Sequence, residues 1–144
     1  MNKDDLETAY RETRYSIFIE GEPVTVCIGD PAPAEMDHLL QQAKNQTGII
    51  ITAWNPRSNA LSREDNRKRN QDLRSYLTTQ GYEVYDALGE GNDPAWPAEE
   101  SLFVLDIEKD GADKLAIDYG QNAYVRLAKK QPATLVFSTH WDAR

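Results

Sequence analysis

The spacing of hydrophobic side chains changes along the chain, and the first changes predict a helix followed by a hairpin. Apolar residues near the N-terminus have helical spacing, which predicts a short helix over residues 4–13. Residues 15–19 alternate like a strand, and a Gly-Glu-Pro turn at 21–23 leads into a second strand over 24–28. The chain is therefore expected to open with a helix and a β-hairpin.

The middle of the chain carries the clearest strand. Two prolines end the hairpin and precede a helical stripe over 36–43, which predicts a helix that ends near 45–48. Ile49–Trp54 follows as an apolar run rich in isoleucine, a pattern that fits a central strand buried on both faces. Asn55-Pro56 ends this strand, because proline has no N–H to donate and holds its predecessor extended.

The second half continues to alternate between helices and strands. Ser62 and Asp65 have the spacing of a capping box, with Asp in place of the usual Glu, and predict a helix to about Gln80. The remaining predicted elements are a strand over 82–88, a loop over 89–97, a strand over 101–107, a helical stripe over 112–119 closed by Gly120, and strands over 123–128 and 134–138.

The order of these elements is α-β-β-α-β-α-β-β-α-β-β, which favours an α+β fold of α/β type. We expect a mixed β-sheet of about six to seven strands packed with about three to four helices. At 144 residues, the chain has the usual length of one domain. It is therefore predicted to form a single globular domain over residues 1–144.

Composition and net charge argue against several classes of protein. No apolar stretch has the roughly eighteen residues that a membrane span needs, and the N-terminus lacks the pattern of a secretory signal, so we expect a cytoplasmic protein. The formal net charge of −8 argues against a general affinity for nucleic acid, whose phosphates favour a basic surface. The single cysteine, Cys27, cannot form an internal disulfide.

The acidic and basic side chains are unevenly distributed. Residues 57–74 carry six basic and three acidic side chains, whereas residues 83–118 carry eleven acidic and two basic ones. Such runs usually form solvated faces. The alternative is that the basic helix faces an anionic ligand or an acidic partner.

Polar residues gather where the Ile49–Trp54 strand ends and the next helix begins. The core face of that helix, followed back from Leu77 by helical steps, reaches Asn70 and Asn66 where leucines would be expected. These amides would then point towards Asn55, near the positive end of the helix dipole, where donors and acceptors suit a bound ligand. The alternative is that the amides only satisfy backbone groups of the loop and the helix cap.

A second polar segment, Trp96–Ser101, enters the other apolar strand. Consecutive strand residues face opposite sides, so only one of Glu99 and Glu100 can face a given pocket. Glu99 near the asparagines could orient a substrate or act as a general base if burial raised its pKa, or it could simply bond nearby loop amides. Trp54 and Trp96 could stack on a planar ligand, although packing is the more common role of such side chains.

Motifs of the common catalytic and cofactor sites are absent from the sequence. It contains no phosphate-binding loop and no dinucleotide fingerprint. Neither His38 nor His140 has the spacing of a metal ligand, and a Ser-His-Asp arrangement with His140 would lack a nucleophile elbow. We therefore predict no metal and no cofactor.

The leading hypothesis is a binding domain whose pocket, at the end of the Ile49–Trp54 strand, holds a small polar or anionic ligand. One alternative is a hydrolase or transferase acting on a nucleotide-like or sugar-like substrate, with Glu99 as general base. Another is a protein-interaction module that presents the basic helix over 62–80 to an acidic partner. The predicted ligand-binding side chains are Trp54, Asn55, Arg57, Asn66, Trp96, Glu99 and Gln121.

Several segments together resemble a small bacterial domain family of unknown function. They are Thr52-Ala53-Trp54-Asn55-Pro56, Trp96-Pro97-Ala98-Glu99-Glu100-Ser101 and Gly120-Gln121-Asn122-Ala123, with Asn66 on the helix between the first two. The resemblance spans nearly the whole chain and implies a stand-alone bacterial cytosolic protein, but it brings no established activity. It adds weight to Asn55, Asn66, Glu99 and Gln121, because the family motifs are polar at these positions.

Overall fold

Helices and strands alternate through the part of the chain that the structure, a computed structural model, describes, residues 2–92 and 97–138. The four helices in these ranges are α1 Lys3–Arg11, α2 Ala34–Gln41, α3 Arg63–Thr79 and α4 Lys109–Asp118. The seven strands are β1 Arg14–Ile19, β2 Glu22–Val26, β3 Thr47–Ile51, β4 Val84–Glu90, β5 Glu99–Leu105, β6 Ala123–Ala128 and β7 Thr134–Phe137. The order of helices and strands predicted from the sequence is confirmed.

Some predicted bounds are wrong. β3 ends at Ile51 rather than at Trp54. The backbone N–H groups of Ala53 and Asn55 donate to side chains of α3 and not to a neighbouring strand. β4 continues through Gly89 to Glu90, where the sequence predicts a loop, because each of its residues pairs with β1 or β5. Residues 93–96 of that predicted loop lie outside the described residues.

All seven strands belong to one curled sheet with the order β2-β1-β4-β5-β3-β6-β7. The α+β fold class is confirmed, but the prediction of a mixed sheet is wrong, because every neighbouring pair of these strands is antiparallel. The chain places β3 between β5 and β6, and both of these strands run against it. The sheet curls until the Gly29 N–H, just beyond β2, donates to the Ala133 carbonyl oxygen, just before β7, at 2.9 Å.

The sheet buries a separate hydrophobic cluster on each face. α2 covers one face, here called the α2 face, and α3 and α4 cover the other, here called the α3–α4 face. Along β5, Phe103 packs on the α2 face and Val104 on the α3–α4 face. Along β3, Ile50 packs on the α2 face and Ile49 on the α3–α4 face. The prediction of a central strand buried on both faces is therefore confirmed for β3.

The buried face of α3 is polar in its N-terminal half and apolar in its C-terminal half. The Ser62 hydroxyl caps the helix by accepting from the Asp65 N–H at 3.1 Å, as the capping-box spacing predicts. Leu73 and Leu77 are fully buried against the sheet, and burial of such a side chain is worth about 1.5–3 kcal/mol. Asn66 is also buried, at 1% exposure. The helix therefore carries a buried amide to the end of the sheet where β3 stops.

Candidate functional site

The side chains of Asn70, on α3, and Thr52, directly after β3, form hydrogen bonds with the backbone where β3 ends. The Asn70 Oδ1 accepts from the Ala53 N–H at 2.7 Å, and the Asn70 Nδ2 donates to the Glu100 carbonyl oxygen at 2.8 Å. The Thr52 hydroxyl donates to the same carbonyl oxygen at 2.8 Å. These bonds take the place of a strand ladder, so the chain leaves the sheet along a fixed path.

Two hydrogen bonds join Asn55 and Asn66. The Asn66 Oδ1 accepts from the Asn55 N–H at 2.8 Å, and the Asn66 Nδ2 donates to the Asn55 Oδ1 at 2.7 Å. Leu61 completes the arrangement, because its N–H donates to the Asn55 Oδ1 at 3.0 Å and its carbonyl oxygen accepts from the Asn66 Nδ2 at 3.3 Å. These backbone partners determine the orientation of both amides. The prediction that Asn66 points towards Asn55 is confirmed.

The loop that starts at Asn55 has an unusual backbone. Asn55, Arg57 and Ser58 have φ angles of 43°, 53° and 63°, in the left-handed region that residues other than glycine rarely adopt. Such conformations cost on the order of 1–3 kcal/mol each and persist only where the surroundings hold them. The loop therefore depends on Asn66 at its start and on other contacts further along.

Those other contacts come from the turn between α4 and β6. Residues 54–58 and 119–122, here called the loop pair, are joined by hydrogen bonds. The bonds run from the Gln121 Nε2 to the Trp54 carbonyl oxygen at 3.1 Å, from the Arg57 N–H to the Gly120 carbonyl oxygen at 2.5 Å, and from the Asn122 Nδ2 to the Ser58 Oγ at 3.1 Å. Gly120 has a φ of 69°, and a Cβ there would lie 2.9 Å from the Pro56 Cβ. Glycine at this position therefore allows the two segments to approach each other.

Gln121 is buried, yet one of its polar atoms has no partner among the described residues. The side chain is 5% exposed, and its Nε2 donates to the carbonyl oxygens of Trp54 and Tyr119 at 3.1 and 3.3 Å. Because both partners are acceptors, the amide nitrogen must face them. The Oε1 accepts no hydrogen bond from the described residues. Every fully buried side-chain nitrogen or oxygen among these residues does have a partner, so the Oε1 is not fully buried. Solvent therefore reaches the Gln121 Oε1.

Arg69 was not predicted as a site residue, but it joins three parts of the site. Its Nε donates to the Ala53 carbonyl oxygen at 2.8 Å, and its Nη2 donates to the Tyr119 carbonyl oxygen at 2.6 Å. The signal was present in the sequence, because Arg69 follows Asn66 by three residues and so lies on the same stripe of the helix. Its guanidinium is part of the scaffold and not a free surface cation.

Half of the cations in residues 57–74 are bonded within the protein. The bonded ones are Arg67, which pairs with Glu100 at 3.1 Å, Arg74, which pairs with Asp86, and Arg69, which bonds backbone carbonyl groups. Arg57, Arg63 and Lys68 are exposed, and their side chains form no ion pair or hydrogen bond with the described residues. Arg57 belongs to the loop pair, so an unpaired guanidinium lies at the site.

The structure puts Glu99 on the opposite side of the sheet from the asparagines. Successive residues of a strand face opposite sides, and Glu99 has the parity of Phe103, on the α2 face. Glu100 has the opposite parity, and its carboxylate pairs with Arg67 of α3. The prediction that Glu99 lies near Asn55 and Asn66 is therefore wrong.

The surroundings of Glu99 are hydrophobic and phenolic. Partial burial raises the pKa of its carboxyl, although the residue as a whole is exposed. Burial also raises the pKa of the Tyr10 phenol, and the nearby Glu99 carboxylate adds to that shift. A raised pKa suits a general base, but the arrangement predicted from the sequence, a base acting beside the asparagines, is not formed.

The structure brings together five of the residues predicted to bind a ligand, Trp54, Asn55, Arg57, Asn66 and Gln121. Trp54 is 9% exposed, and its carbonyl oxygen is bonded by Gln121. Trp96 lies outside the described residues. Stacking of a ligand on either tryptophan stays a prediction.

Two small cavities lie beside α4 and away from the loop pair. One, of about 40 Å³, is lined by residues that include Tyr124 and Arg126, and the other, of about 70 Å³, by residues that include Tyr76 and Lys114. Neither reaches the several hundred Å³ of a typical metabolite pocket. We therefore treat the loop pair as a surface site and not as a closed pocket.

Grouped metal ligands and membrane-spanning helices are both absent from residues 2–92 and 97–138. Within these ranges, no three His, Cys, Asp or Glu side chains are grouped so that they could hold a metal ion. None of the helices described there is long and apolar enough to cross a membrane.

Comparison with known proteins places the site inside a recognised family region. A family model described as "Protein of unknown function (DUF3293)" matches residues 51–124, more than half of the chain. The matched region begins at the end of β3 and extends past the turn before β6, so it contains α3 and both segments of the loop pair. No curated protein and no solved structure matches the chain.

Proposed function

We propose a ligand-binding role for this chain, which belongs to the DUF3293 family of proteins of unknown function. The ligand is a small molecule with a negatively charged group, and it rests on the surface of the loop pair. The observation that carries the proposal is a set of polar atoms without partners among the described residues. The side-chain amides of Asn55 and Gln121 each use one polar atom in hydrogen bonds within the protein and leave the other to solvent, and the guanidinium of Arg57 is also unpaired there.

Arg57 supplies the charge. An arginine offers several N–H donors in a planar fork that matches a carboxylate or a phosphate. Its backbone is fixed by the bond to Gly120, and its Cγ would lie 3.9 Å from a Cβ at that glycine, so the side chain starts beside the turn that carries Gln121. The side chain therefore starts beside the other open groups, and its length allows the guanidinium to reach a ligand bound there.

Asn55 and Gln121 supply neutral hydrogen bonds. The Asn55 Nδ2 donates to no described residue, and the Gln121 Oε1 accepts from none. A ligand that uses both atoms must carry an acceptor and a donor in addition to its anionic group. Hydroxy acids and phosphorylated sugars or nucleosides have this combination.

The rigidity of the site supports binding rather than a purely structural role. Three left-handed residues other than glycine occur within four positions, 55–58, and buried amides of α3 and the α4–β6 turn hold them in place. Strained backbone of this kind is concentrated at functional sites. A loop that is already ordered also loses little entropy when it binds.

The proposal is tested by isothermal titration of the protein with inorganic phosphate, citrate, glucose 6-phosphate and AMP. Arg57→Ala removes the charge without touching the buried amides, and Lys68→Ala removes an equally exposed and unpaired cation on α3 as a control. A hydrogen bond to a charged group is worth about 1.5–3 kcal/mol, so Arg57→Ala should weaken binding at least about tenfold while Lys68→Ala leaves it unchanged. Equal affinities for the wild type and Arg57→Ala would rule the proposal out, as would no binding by any of the four compounds.

A further inference from the structure

Three arginines among the described residues are half-buried, namely Arg69, Arg74 and Arg126. Arg69 bonds two backbone carbonyl oxygens, and Arg74 pairs with Asp86. The side chain of Arg126 forms no ion pair or hydrogen bond with the described residues. A cation that is partly withdrawn from water is normally paired, because water no longer solvates it fully. The guanidinium of Arg126 is therefore available to an anion.

Arg126 lies in the wall of the cavity of about 40 Å³ beside α4. It belongs to β6 and has the same parity as Tyr124, which packs on the α3–α4 face. Its partners in the neighbouring strands are Ile49 of β3 and Thr134 of β7. The apolar side chains in the wall are those of Ile49, Ile107, Ala112 and Val136. The cavity therefore has a cationic part and an apolar part.

The charges around this cavity leave Arg126 without a counter-charge. Lys109 is the other charged residue in the wall, and its Nζ donates to the Asp113 Oδ2 at 2.6 Å. The Asp113 Oδ1 accepts from the Tyr124 hydroxyl at 2.6 Å, so both carboxylate oxygens of Asp113 already have partners. No carboxylate of the described residues lies in the cavity wall. The charge of Lys109 is thus matched within the protein, and that of Arg126 is not.

We propose that this cavity binds a short-chain monocarboxylate such as acetate or propionate. The carboxylate accepts hydrogen bonds from the planar fork of the Arg126 guanidinium, and the alkyl group contacts Ile107 and Val136. Thr47 also lies in the wall and is half-buried, and its hydroxyl is a further donor. No residue of the loop pair lines the cavity, so the inference goes beyond the proposed function and does not rest on it.

The size and the lining of the cavity limit the ligand to a few atoms. A water molecule needs about 10–15 Å³, so the cavity has room for about three waters. Acetate and propionate are of this size, whereas benzoate and citrate are larger. Phosphate presents oxygen atoms on every side, and those facing the apolar part of the wall would lose their hydrogen bonds to water. A carboxylate with a short alkyl group matches both parts of the wall.

The experiment is an NMR titration of isotope-labelled protein with sodium acetate and sodium propionate, with the ionic strength held constant by sodium chloride. The amide signals followed are those of residues 47–49, 109–112 and 124–126. Arg126→Gln removes the charge from the cavity. Lys129→Gln is the matched control, because Lys129 is also half-buried and unpaired among the described residues but does not line the cavity. Sodium benzoate tests the limit on size with the same carboxylate group.

Acetate and propionate should shift these amide signals until they saturate, and nuclear Overhauser effects should connect the propionate methyl group to Ile107 and Val136. Arg126→Gln should weaken the binding at least about tenfold, because it removes hydrogen bonds between two charged groups. Lys129→Gln and Arg57→Ala should bind like the wild type. Benzoate should cause no saturating shift at these residues.

Several results would overturn the inference. Shifts that do not saturate, or that sodium chloride alone reproduces, would show that the cavity binds no carboxylate. Equal affinities for the wild type and Arg126→Gln, or saturating shifts with benzoate, would also contradict it. The Overhauser effects are measured on the wild type, so their absence counts against the proposal even if Arg126→Gln does not fold. Phosphate or citrate binding that is lost in Arg57→Ala and kept in Arg126→Gln would leave the proposed function standing in each of these cases.

Discussion

The buried side chain of Asn66 bonds Asn55 at both its backbone N–H and its side-chain oxygen, at 2.8 and 2.7 Å. Asn55 is the first of three residues with left-handed backbone in the loop. The two hydrogen bonds from Asn66 therefore hold the residue at which the loop starts. Asn66 is 1% exposed and has no room for a ligand of its own. It supports the loop, and in the proposed site the atoms open to a ligand belong to Asn55, Arg57 and Gln121.

Asn66→Ala should destabilise the protein by about 2–4 kcal/mol. The substitution leaves the Asn55 N–H without its partner, removes the donor to the Leu61 carbonyl oxygen, and leaves the Asn55 Oδ1 with the Leu61 N–H alone. An unsatisfied buried group costs about 1–3 kcal/mol, and the loss of packing around the amide adds to this. Urea unfolding followed by tryptophan fluorescence measures the change. Asn59→Ala is the control, because Asn59 is exposed, and it should stay within about 0.5 kcal/mol of the wild type. Equal stability of the two variants would mean that Asn66 does not support the loop.

Gly120→Ala should destabilise the protein more than Gly81→Ala. Both glycines follow a helix and have positive φ, 69° and 90°, so both variants carry a strain of about 1 kcal/mol or more. Only at Gly120 would the new Cβ approach Pro56, at 2.9 Å, whereas nothing lies within 4 Å at Gly81. Melting temperatures of the two variants measure the difference. A Gly120→Ala protein that melts no lower than Gly81→Ala would contradict close packing of the loop pair.

Gly48→Ala should prevent stable folding. Gly48 lies in β3, and a Cβ there would overlap the ring of Phe103 and lie 3.0 Å from the Val104 carbonyl oxygen of β5. The core of a central strand is too closely packed to move away without loss of other contacts. Gly91→Ala is the control, since nothing lies within 4 Å of its Cβ position. Soluble expression and circular dichroism distinguish the two, and a Gly48→Ala protein with a native melt would contradict the packing of β3 on β5.

The stability of the wild type relative to Glu99→Gln should fall as the pH rises. Burial raises the pKa of Glu99 in the folded protein above its ordinary value of 4.5, so between these two values the folded state binds more protons than the unfolded state. The two proteins should therefore differ least in acid, and the Gln variant should become relatively more stable towards neutral pH. Melts across this range test the prediction. A difference that is constant with pH would contradict a desolvated carboxyl.

The helices and strands could be predicted from the sequence because buried side chains recur with a different spacing in a helix and in a strand. Leu73 and Leu77 mark the buried stripe of α3, and the same spacing leads back to Asn66 and to Arg69. Strand order and direction are different, because periodicity reveals which face a residue occupies but not which strand lies beside it. The expectation of a mixed sheet failed for this reason.

The candidate site was predicted in part. The amides lie together as expected, because Asn66 shares a helical stripe with the core leucines. The choice of Glu99 over Glu100 failed, because alternation shows only that the two residues face opposite sides. Which side α3 covers depends on the packing of Val104, which belongs to the α3–α4 face, and this is known only once the sheet is assembled.

The most direct test of the central claim is an NMR titration of isotope-labelled protein with inorganic phosphate and with citrate. If the loop pair binds anions, the amide signals of residues 54–63 and 119–122 should shift and saturate, and Arg57→Ala should abolish these shifts while Lys68→Ala keeps them. Shifts that never saturate, that spread over all exposed lysines and arginines, or that persist in Arg57→Ala would contradict the claim. The loop pair would then be a structural feature of the fold and not a ligand site.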